Sequence, residues 1–273
     1  MELQQSPYYA KYIEALKWQV FTIDGVRMFY KKIPFIGGLL KIQRPARLPH
    51  TGKLLKIIQA YKVKTVAIEP VQKQNVASYK QWVTRIGKRS HVVRSGYLPT
   101  KTILINLKPS EVEIFKHFSE AKRRAVRKAE KNGVVVKESN NIKNLIHIKN
   151  KSSGFLGFIT TFGIDKFWSF FGKKYSTIVL AYFQNALVGG VLVLVWHNTA
   201  YYWVAGATRH GKKLFAPTLL VWEAIKIAKK RGAKQFDFLG VWDERKPKEH
   251  LDWKGFTRFK EGFGGIHEYY PLC

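Results

Sequence analysis

The chain has 273 residues, enough for two modest domains or one large one with a buried core. Hydrophobic residues make up 46% and aromatic residues 14%, which excludes a disordered chain. Lys and Arg number 48 against 18 Asp and Glu, a net charge of +30. The excess is shared, with 27 basic and 8 acidic residues up to position 135 and 21 and 10 beyond it. Charge on this scale repels itself unless a polyanion or an anionic surface offsets it. Nucleic acid or anionic lipid is the expected partner, and general lysine enrichment is the bland alternative.

Residues 6–15 read as a short helix. Strands follow at 19–23 and 26–31 around Asp24-Gly25, a hairpin signal. Residues 50–61 are helical, with Leu54, Leu55, Ile57 and Ile58 on one apolar face, and 65–68 form a buried strand ending at Glu69-Pro70. After a strand at 101–107, Ser110 precedes Glu113 at capping-box spacing. Residues 119–132, SEAKRRAVRKAEKN, give the strongest helix pattern of the first half and stop at Gly133. Lys122, Arg123, Arg124, Arg127, Lys128 and Lys131 charge most of one face. That face is either simply solvated or a polyphosphate contact, and Glu120 and Glu130 neutralise little of it.

In the second half a short aromatic helix at 167–174 precedes strands at 176–183, 186–197 and 200–208, the first two flanking Gln184-Asn185. A helix at 217–231 has Pro217 in its first turn and Gly232 past its end, and a strand at 234–239 follows. The order helix, basic turn, buried strand, polar end thus occurs twice, at 50–69 and 216–240. The expected fold is α/β with mixed sheets, in two units of about 130 residues each, 1–135 and 136–273.

Several chemistries are excluded. No Walker loop, GxGxxG fingerprint or GxSxG elbow occurs, and the histidines have no metal-ligand spacing, so no metal and no cofactor is expected. The single cysteine, Cys273, permits no disulfide within one chain and fits a reducing compartment. The start shows no secretory pattern. The most apolar stretch, 186–196, is about half the length of a membrane-spanning helix, so a cytoplasmic protein is expected. The strand-helix layout suggests tandem acetyltransferase-like (GNAT-type) domains. Yet the segment where a glycine loop would cradle a coenzyme pyrophosphate reads RHGKKLFAP, 209–217, with one glycine and several bulky residues. Acetyl-CoA is therefore not the expected donor.

The most specific segment is WKGFTRFKEGFGG, 253–265, where Phe256, Phe259 and Phe263 alternate with Lys254, Arg258 and Lys260. A lysine between phenylalanines can present a fixed charge to an oxyanion in acyl transfer. Equally, the segment can be an aromatic turn closing the core with its lysines reaching solvent.

This segment, with YYWVAGATRHGKKLFAPTLLVWEAIKIAKKRGAKQFDFLGV before it, resembles the C-terminal half of the Fem (FemABX) family of peptidoglycan-bridge aminoacyltransferases. LPTKTILINLKPSEVEIFKHFSEAKRRAVRKAEKNGV, 98–134, resembles the family's strand and basic helix, and QSPYYAKY its opening helix. The resemblance implies tandem acetyltransferase-like domains, here too short to carry the family's coiled-coil arm. It implies transfer of an amino acid from aminoacyl-tRNA to the stem peptide of a lipid-linked or nucleotide-linked muropeptide, with possible peripheral contact at the inner face of the membrane. Residues 1–135 would bind the precursor, and residues 136–273 the donor. Carried over by position, Lys260 and Phe259 are the catalytic pair and Glu69 orients the acceptor amine. Lys11 (or Ile13, in the alternative register), Phe215 and Arg258 are substrate-binding. Arg123, Arg124, Arg127 and Lys128 would contact tRNA phosphates. A basic RNA- or membrane-binding protein and an acyltransferase acting on another amine are the rival readings.

Overall fold

A computed structural model describes residues 1–71, 76–93, 97–154 and 161–272, so Cys273 lies outside the described residues. The chain divides into two compact units, residues 1–100 with 269–273, and residues 101–268.

Unit 1 runs α1 (Pro7–Ala15), β1 (Gln19–Ile23), β2 (Val26–Ile33), β3 (Gly37–Gln43), α2 (Thr51–Ala60), β4 (Val63–Glu69), α3 (Val76–Gly87) and β5 (His91–Val93). Ser6 starts α1 by accepting the Tyr9 N–H at 3.0 Å, and Pro7 occupies the first helical turn, where no N–H is needed. The sheet order is β1-β2-β3-β4-β5. The first three strands are antiparallel, and β3, β4 and β5 are parallel. Leu54 and Ile58 of α2, with Tyr79, Trp82 and Ile86 of α3, pack with Leu40, Ile42, Val66 and Ile68 of the central strands.

Unit 2 begins with β6 (Lys101–Asn106), α4 (Glu111–Lys116), α5 (Glu120–Lys131), β7 (Val135–Ser139) and α6 (Ile142–Ser153). It continues with α7 (Ile164–Tyr175), β8 (Ser176–Phe183), β9 (Ala186–Trp196), β10 (Thr199–Ala207), α8 (Arg209–Lys213), α9 (Ala216–Lys230), β11 (Gln235–Asp237), α10 (Trp253–Glu261) and β12 (Ile266–Tyr269). The order in its sheet is β12-β6-β11-β10-β9-β8-β7. The boundary expected after residue 135 thus falls near residue 100. Strand β6 hydrogen-bonds to β11, and Ile114, Phe118, Val126 and Ala129 of the α4–α5 region join the core under α9. Hydrophobic burial assigns that segment to the second unit.

Helices cover both faces of this sheet. Gly189 and Gly190 of β9 point to opposite faces, and a Cβ on either would collide with a leucine methyl, Leu220 of α9 or Leu180 of β8. Both glycines are thus places of close approach.

Strand β10 pairs with β11 in parallel over only three residues, 199–201 with 235–237. An extra residue at Trp203 shifts the register of β10 against β9. Beyond that point β10 runs on to Ala207, whereas the chain leaving β11 turns away through Leu239, whose φ is +55°. The two strands part and leave a space between them.

The lone glycine of segment 209–217 serves packing. A Cβ on Gly211 would run into the Val188 carbonyl, and the segment forms the short helix α8, capped by Thr208. Gly211→Ala is expected to lower stability by about 1–3 kcal/mol in urea unfolding. Gly87→Ala, with open space around it, should change it little.

Candidate functional site

The space between β10 and β11 is a cavity of about 820 Å³, lined wholly by residues of unit 2. Its walls include residues 202–207 of β10, Phe238 and Leu239 after β11, Phe215 and Pro217 at the start of α9, and one face of α10.

Lys260 projects into it from α10. The residue is only 9% exposed, its Nζ donates to the Gly240 carbonyl at 2.7 Å, and it lies 4.8 Å from the Phe256 ring centre. Burial lowers its pKa to about 8, and Asp237 pulls in the opposite direction. At neutral pH the protonated form therefore still predominates.

The Gly240 carbonyl is held by a turn written in the sequence DFLG. Asp237 Oδ1 accepts the Leu239 N–H at 2.6 Å and the Thr102 hydroxyl, fixing the left-handed conformation of Leu239. On the other side, the Thr257 hydroxyl accepts the Trp242 N–H at 2.8 Å and donates to the Trp253 carbonyl at 2.8 Å, tying α10 to the strand exit.

A second lysine, Lys122 of α5, shares this site. Its Nζ sits 3.7 Å from the Phe259 ring centre and 4.9 Å from that of Phe263. Desolvation lowers its pKa to about 8. Gly262 has an ordinary helical φ, but a Cβ there would come within 2.7 Å of Lys122 Cε. The glycine makes room for the lysine stem. Among the described residues, no Asp or Glu lines the cavity.

Lys260, Phe259 and Phe215 of the expected site thus line one cavity. Arg258 lies two residues from Lys260 on α10, hence on another helix face, and is exposed. On α5, the Arg123 guanidinium donates to the Lys116 carbonyl at 2.9 Å and to that of Phe118, and Arg124 pairs with Glu120 at 3.2 Å. Arg127 and Lys128 are exposed, with Lys128 Nζ 5.2 Å from the Phe215 ring centre.

Glu69 and Lys11 belong to unit 1. Glu69 is buried, and Oε1 accepts the N–H groups of Tyr97 at 2.8 Å and Leu98 at 2.6 Å, while Oε2 accepts from Gln43 Nε2 at 3.3 Å. Those bonds make it a brace for residues 97–98. Lys11 is exposed on α1, and Ile13, the alternative, is core.

In the sequence Lys122 stands within a charged face. The signal that separates it is its spacing. Lys122, Val126 and Ala129 stand at i, i+4 and i+7, and the latter two are buried, so Lys122 continues the inward stripe of α5. Lys149, Lys212 and Trp203 also line the cavity without having been singled out.

Residues 173–271 match the FemAB family, a stretch that runs from the end of α7 through β12 and contains Phe215, Phe259 and Lys260. That stretch is just over a third of the chain. Members of that family are transferases. Among solved structures, FemX is similar with a TM-score of 0.74 at 15% identity, over 98% of this chain and 90% of that one. L-PGS from Bacillus licheniformis is similar with a TM-score of 0.61 at 12% identity, over 93% and 82%. A tandem GNAT protein from the clavulanic acid biosynthesis pathway gives 0.53 at 10%, over 90% and 77%. No curated protein matches the sequence. The fold of this chain is therefore a tandem of acetyltransferase-like domains with two mixed sheets. No helix among the described residues is long and apolar enough to cross a membrane.

Burying Lys260 has a measurable cost. Its pKa is about 8 when folded against an ordinary 10.5, so between those values the unfolded chain binds more protons and stability rises with pH. Below pH 8 the penalty is complete. Lys260→Met is expected to melt higher than the parent protein at pH 7, with the gap narrowing by pH 10. Calorimetry across that range checks it.

Proposed function

We propose that this protein is an aminoacyltransferase that moves an amino acid from aminoacyl-tRNA onto an amine of a peptidoglycan precursor. The observation that carries the reading is a buried lysine ammonium, held by the Gly240 carbonyl, in a cavity that no carboxylate lines among the described residues, within a stretch that matches the FemAB family.

Ester aminolysis explains why such a group would be useful. The amine lone pair attacks the ester carbonyl carbon, a C–N bond forms, and negative charge collects on the carbonyl oxygen. The C–O bond then breaks, and the ribose hydroxyl leaves with the proton that the amine gives up. A positive charge fixed in a low-dielectric wall lowers the energy of that oxyanion without reorganisation. One N–H of Lys260 is held by Gly240, so the charge is oriented and its other N–H groups remain for the oxyanion. Phe256 and Phe259 keep the surroundings apolar.

In this reading unit 2 receives the donor, with Arg127 and Lys128 on the exposed face of α5 as phosphate contacts. Unit 1 receives the lipid-linked or nucleotide-linked muropeptide, with Lys11 near its phosphates. Glu69 acts by bracing the chain at 97–98. The reaction belongs to the cytoplasm or the inner face of its membrane, which the +30 charge suits. A second reading takes the same donor to an anionic phospholipid. The charge and the fold likeness to L-PGS favour it.

Purified protein should be supplied with radiolabelled aminoacyl-tRNAs, muropeptide acceptors and phosphatidylglycerol vesicles. Label is expected in the muropeptide, and Lys260→Ala should lower transfer about 100- to 1,000-fold. Label in the phospholipid selects the second reading. Equal activity of both proteins removes Lys260 from the mechanism.

A further inference from the structure

Unit 1 carries an exposed apolar tip that its own core does not explain. The hairpin joining β2 to β3, residues 31–38, reads KKIPFIGG. At its tip the Ile36 N–H donates to the Pro34 carbonyl at 2.8 Å, closing a three-residue turn around Phe35. Phe35 has a φ of +64°, which a bulky residue rarely adopts, and its side chain is fully exposed. Ile36 is 65% exposed. Folding alone favours glycine or asparagine in such a turn, so this phenylalanine adds backbone strain and no buried area.

Three further turns lie beside the tip, because strand register brings them to the same end of the sheet. Gln19 at the start of β1 pairs with Tyr30, and the Lys31 ammonium donates to the Leu16 carbonyl at 3.3 Å. Gly38 pairs with Val63 at the start of β4, and Thr65 pairs with His91 at the start of β5. A Cβ on Gly37 would stand 2.6 Å from Lys64 Cγ, so the stem of Lys64 crosses the base of the hairpin. These turns present Lys17, Lys32, Lys62, Lys64, Lys88 and Arg89, all exposed. Residues 16–18, 31–37, 61–64 and 87–91 contain no Asp or Glu. Asp24 and Glu69 stand at the opposite strand ends, and Glu14, in the last turn of α1, is the acidic residue nearest in sequence. A groove of about 510 Å³ opens at the same end, with Leu55, Ile58 and Val63 beside Lys62, Lys64 and Arg89 in its lining.

We propose that the Pro34–Ile36 tip and the cations around it dock the protein on an anionic lipid bilayer. The tip enters the acyl boundary, and the cations meet lipid phosphates. This surface stands apart from the Lys260 cavity of unit 2 and from the aminoacyl-transfer reading.

An apolar tip ringed by lysine and arginine suits a membrane because burial of the tip and attraction of the ring act on one surface. Nucleic acid would use the cations but leave Ile36, which offers no ring for a base to stack on, in water. A second copy meeting the same patch would set like charges against like. Strand β4 leads away from this end, so its seven residues set Glu69 on the order of 20 Å from the docked turns.

The test floats the intact protein with vesicles of phosphatidylcholine, alone or with about one-third phosphatidylglycerol. Wild type is expected to bind the phosphatidylglycerol vesicles at least about tenfold more tightly. The double variant Phe35→Asn/Ile36→Ser should weaken that binding about tenfold, while melting close to the parent because no core is removed. Phe35→Trp should keep the binding. Lys62→Gln/Lys64→Gln should weaken it by a similar factor at low salt and by less at high salt. Lys116→Gln/Lys137→Gln, the same charge change on exposed residues of unit 2, should keep most of it. Unchanged binding by Phe35→Asn/Ile36→Ser overturns the docking surface, as does an equal loss in the control pair or a wild type that ignores the vesicles. A wild-type dimer in sedimentation that the tip variant dissociates makes a second copy the occupant and the bilayer wrong. With a water-soluble, nucleotide-linked muropeptide as acceptor, wild type and tip variant should transfer equally. Absence of transfer in both, alongside the expected flotation, would defeat the enzymatic reading and leave the docking surface standing.

Discussion

A lysine ammonium is kept from water with one carbonyl oxygen and a phenyl ring as its immediate partners, and the rest of the site is arranged around that constraint. Lys260 has Gly240 and Phe256 where a buried cation would ordinarily have a carboxylate. Its nearest electrostatic help, Asp237, is engaged by the Leu239 N–H and the Thr102 hydroxyl. The result is a lowered proton affinity, and with it a charge that acts through little screening. Lys122 repeats the pattern on the rings of Phe259 and Phe263. Cation–π contact holds both charges without neutralising them.

The sheet supplies the space in which this can happen. Because β10 and β11 pair over three residues and then part, the interior of unit 2 opens without breaking its core. The Asp237–Leu239 turn sets the direction of departure, and the Thr257 hydroxyl fixes α10 against the departing chain. Each of these contacts is a single hydrogen bond, worth about 1 kcal/mol or somewhat more when charged. Their combined effect is geometric, since they aim one ammonium at one volume.

Unit 1 is organised by a different buried carboxylate. Glu69 ends β4 opposite Gln43 of β3, and Gln43 is itself reached by Gln5 Nε2 at 2.7 Å and the Tyr9 hydroxyl at 3.5 Å. This network joins the start of the chain, two central strands and residues 97–98. At the far end of the sequence, the Tyr270 N–H donates to the Thr100 carbonyl at 2.8 Å, and the Arg44 guanidinium stacks 3.3 Å above the Tyr270 ring. The last residues therefore return to the first unit, which no local pattern announces.

The sequence by itself determined the elements with strong local grammar. Helix starts at Ser6, Ser110 and Ser119, the Asp24-Gly25 hairpin and the Gln184-Asn185 turn follow from capping and turn chemistry that needs only a few neighbouring residues. The aromatic-lysine pattern at 253–265 pointed to the residues that line the cavity, though alternation alone left it open whether that segment was a strand, a turn or the helix it forms. Strand β3 is not legible in the sequence because it is central, with most residues buried on both faces and no alternation to read. Helix α3 is faint in the sequence although Tyr79, Trp82 and Ile86 stand at helical spacing, since polar residues surround them. Only tertiary structure decided that residues 101–135 belong with the second core, and that Lys122 turns inward while Arg123 and Arg124 are engaged elsewhere. It alone brought Lys149 and Lys212 together from positions 63 residues apart. The reason is physical: caps and turns are set by adjacent backbone, whereas burial and charge pairing depend on which distant surfaces the sheet brings into contact.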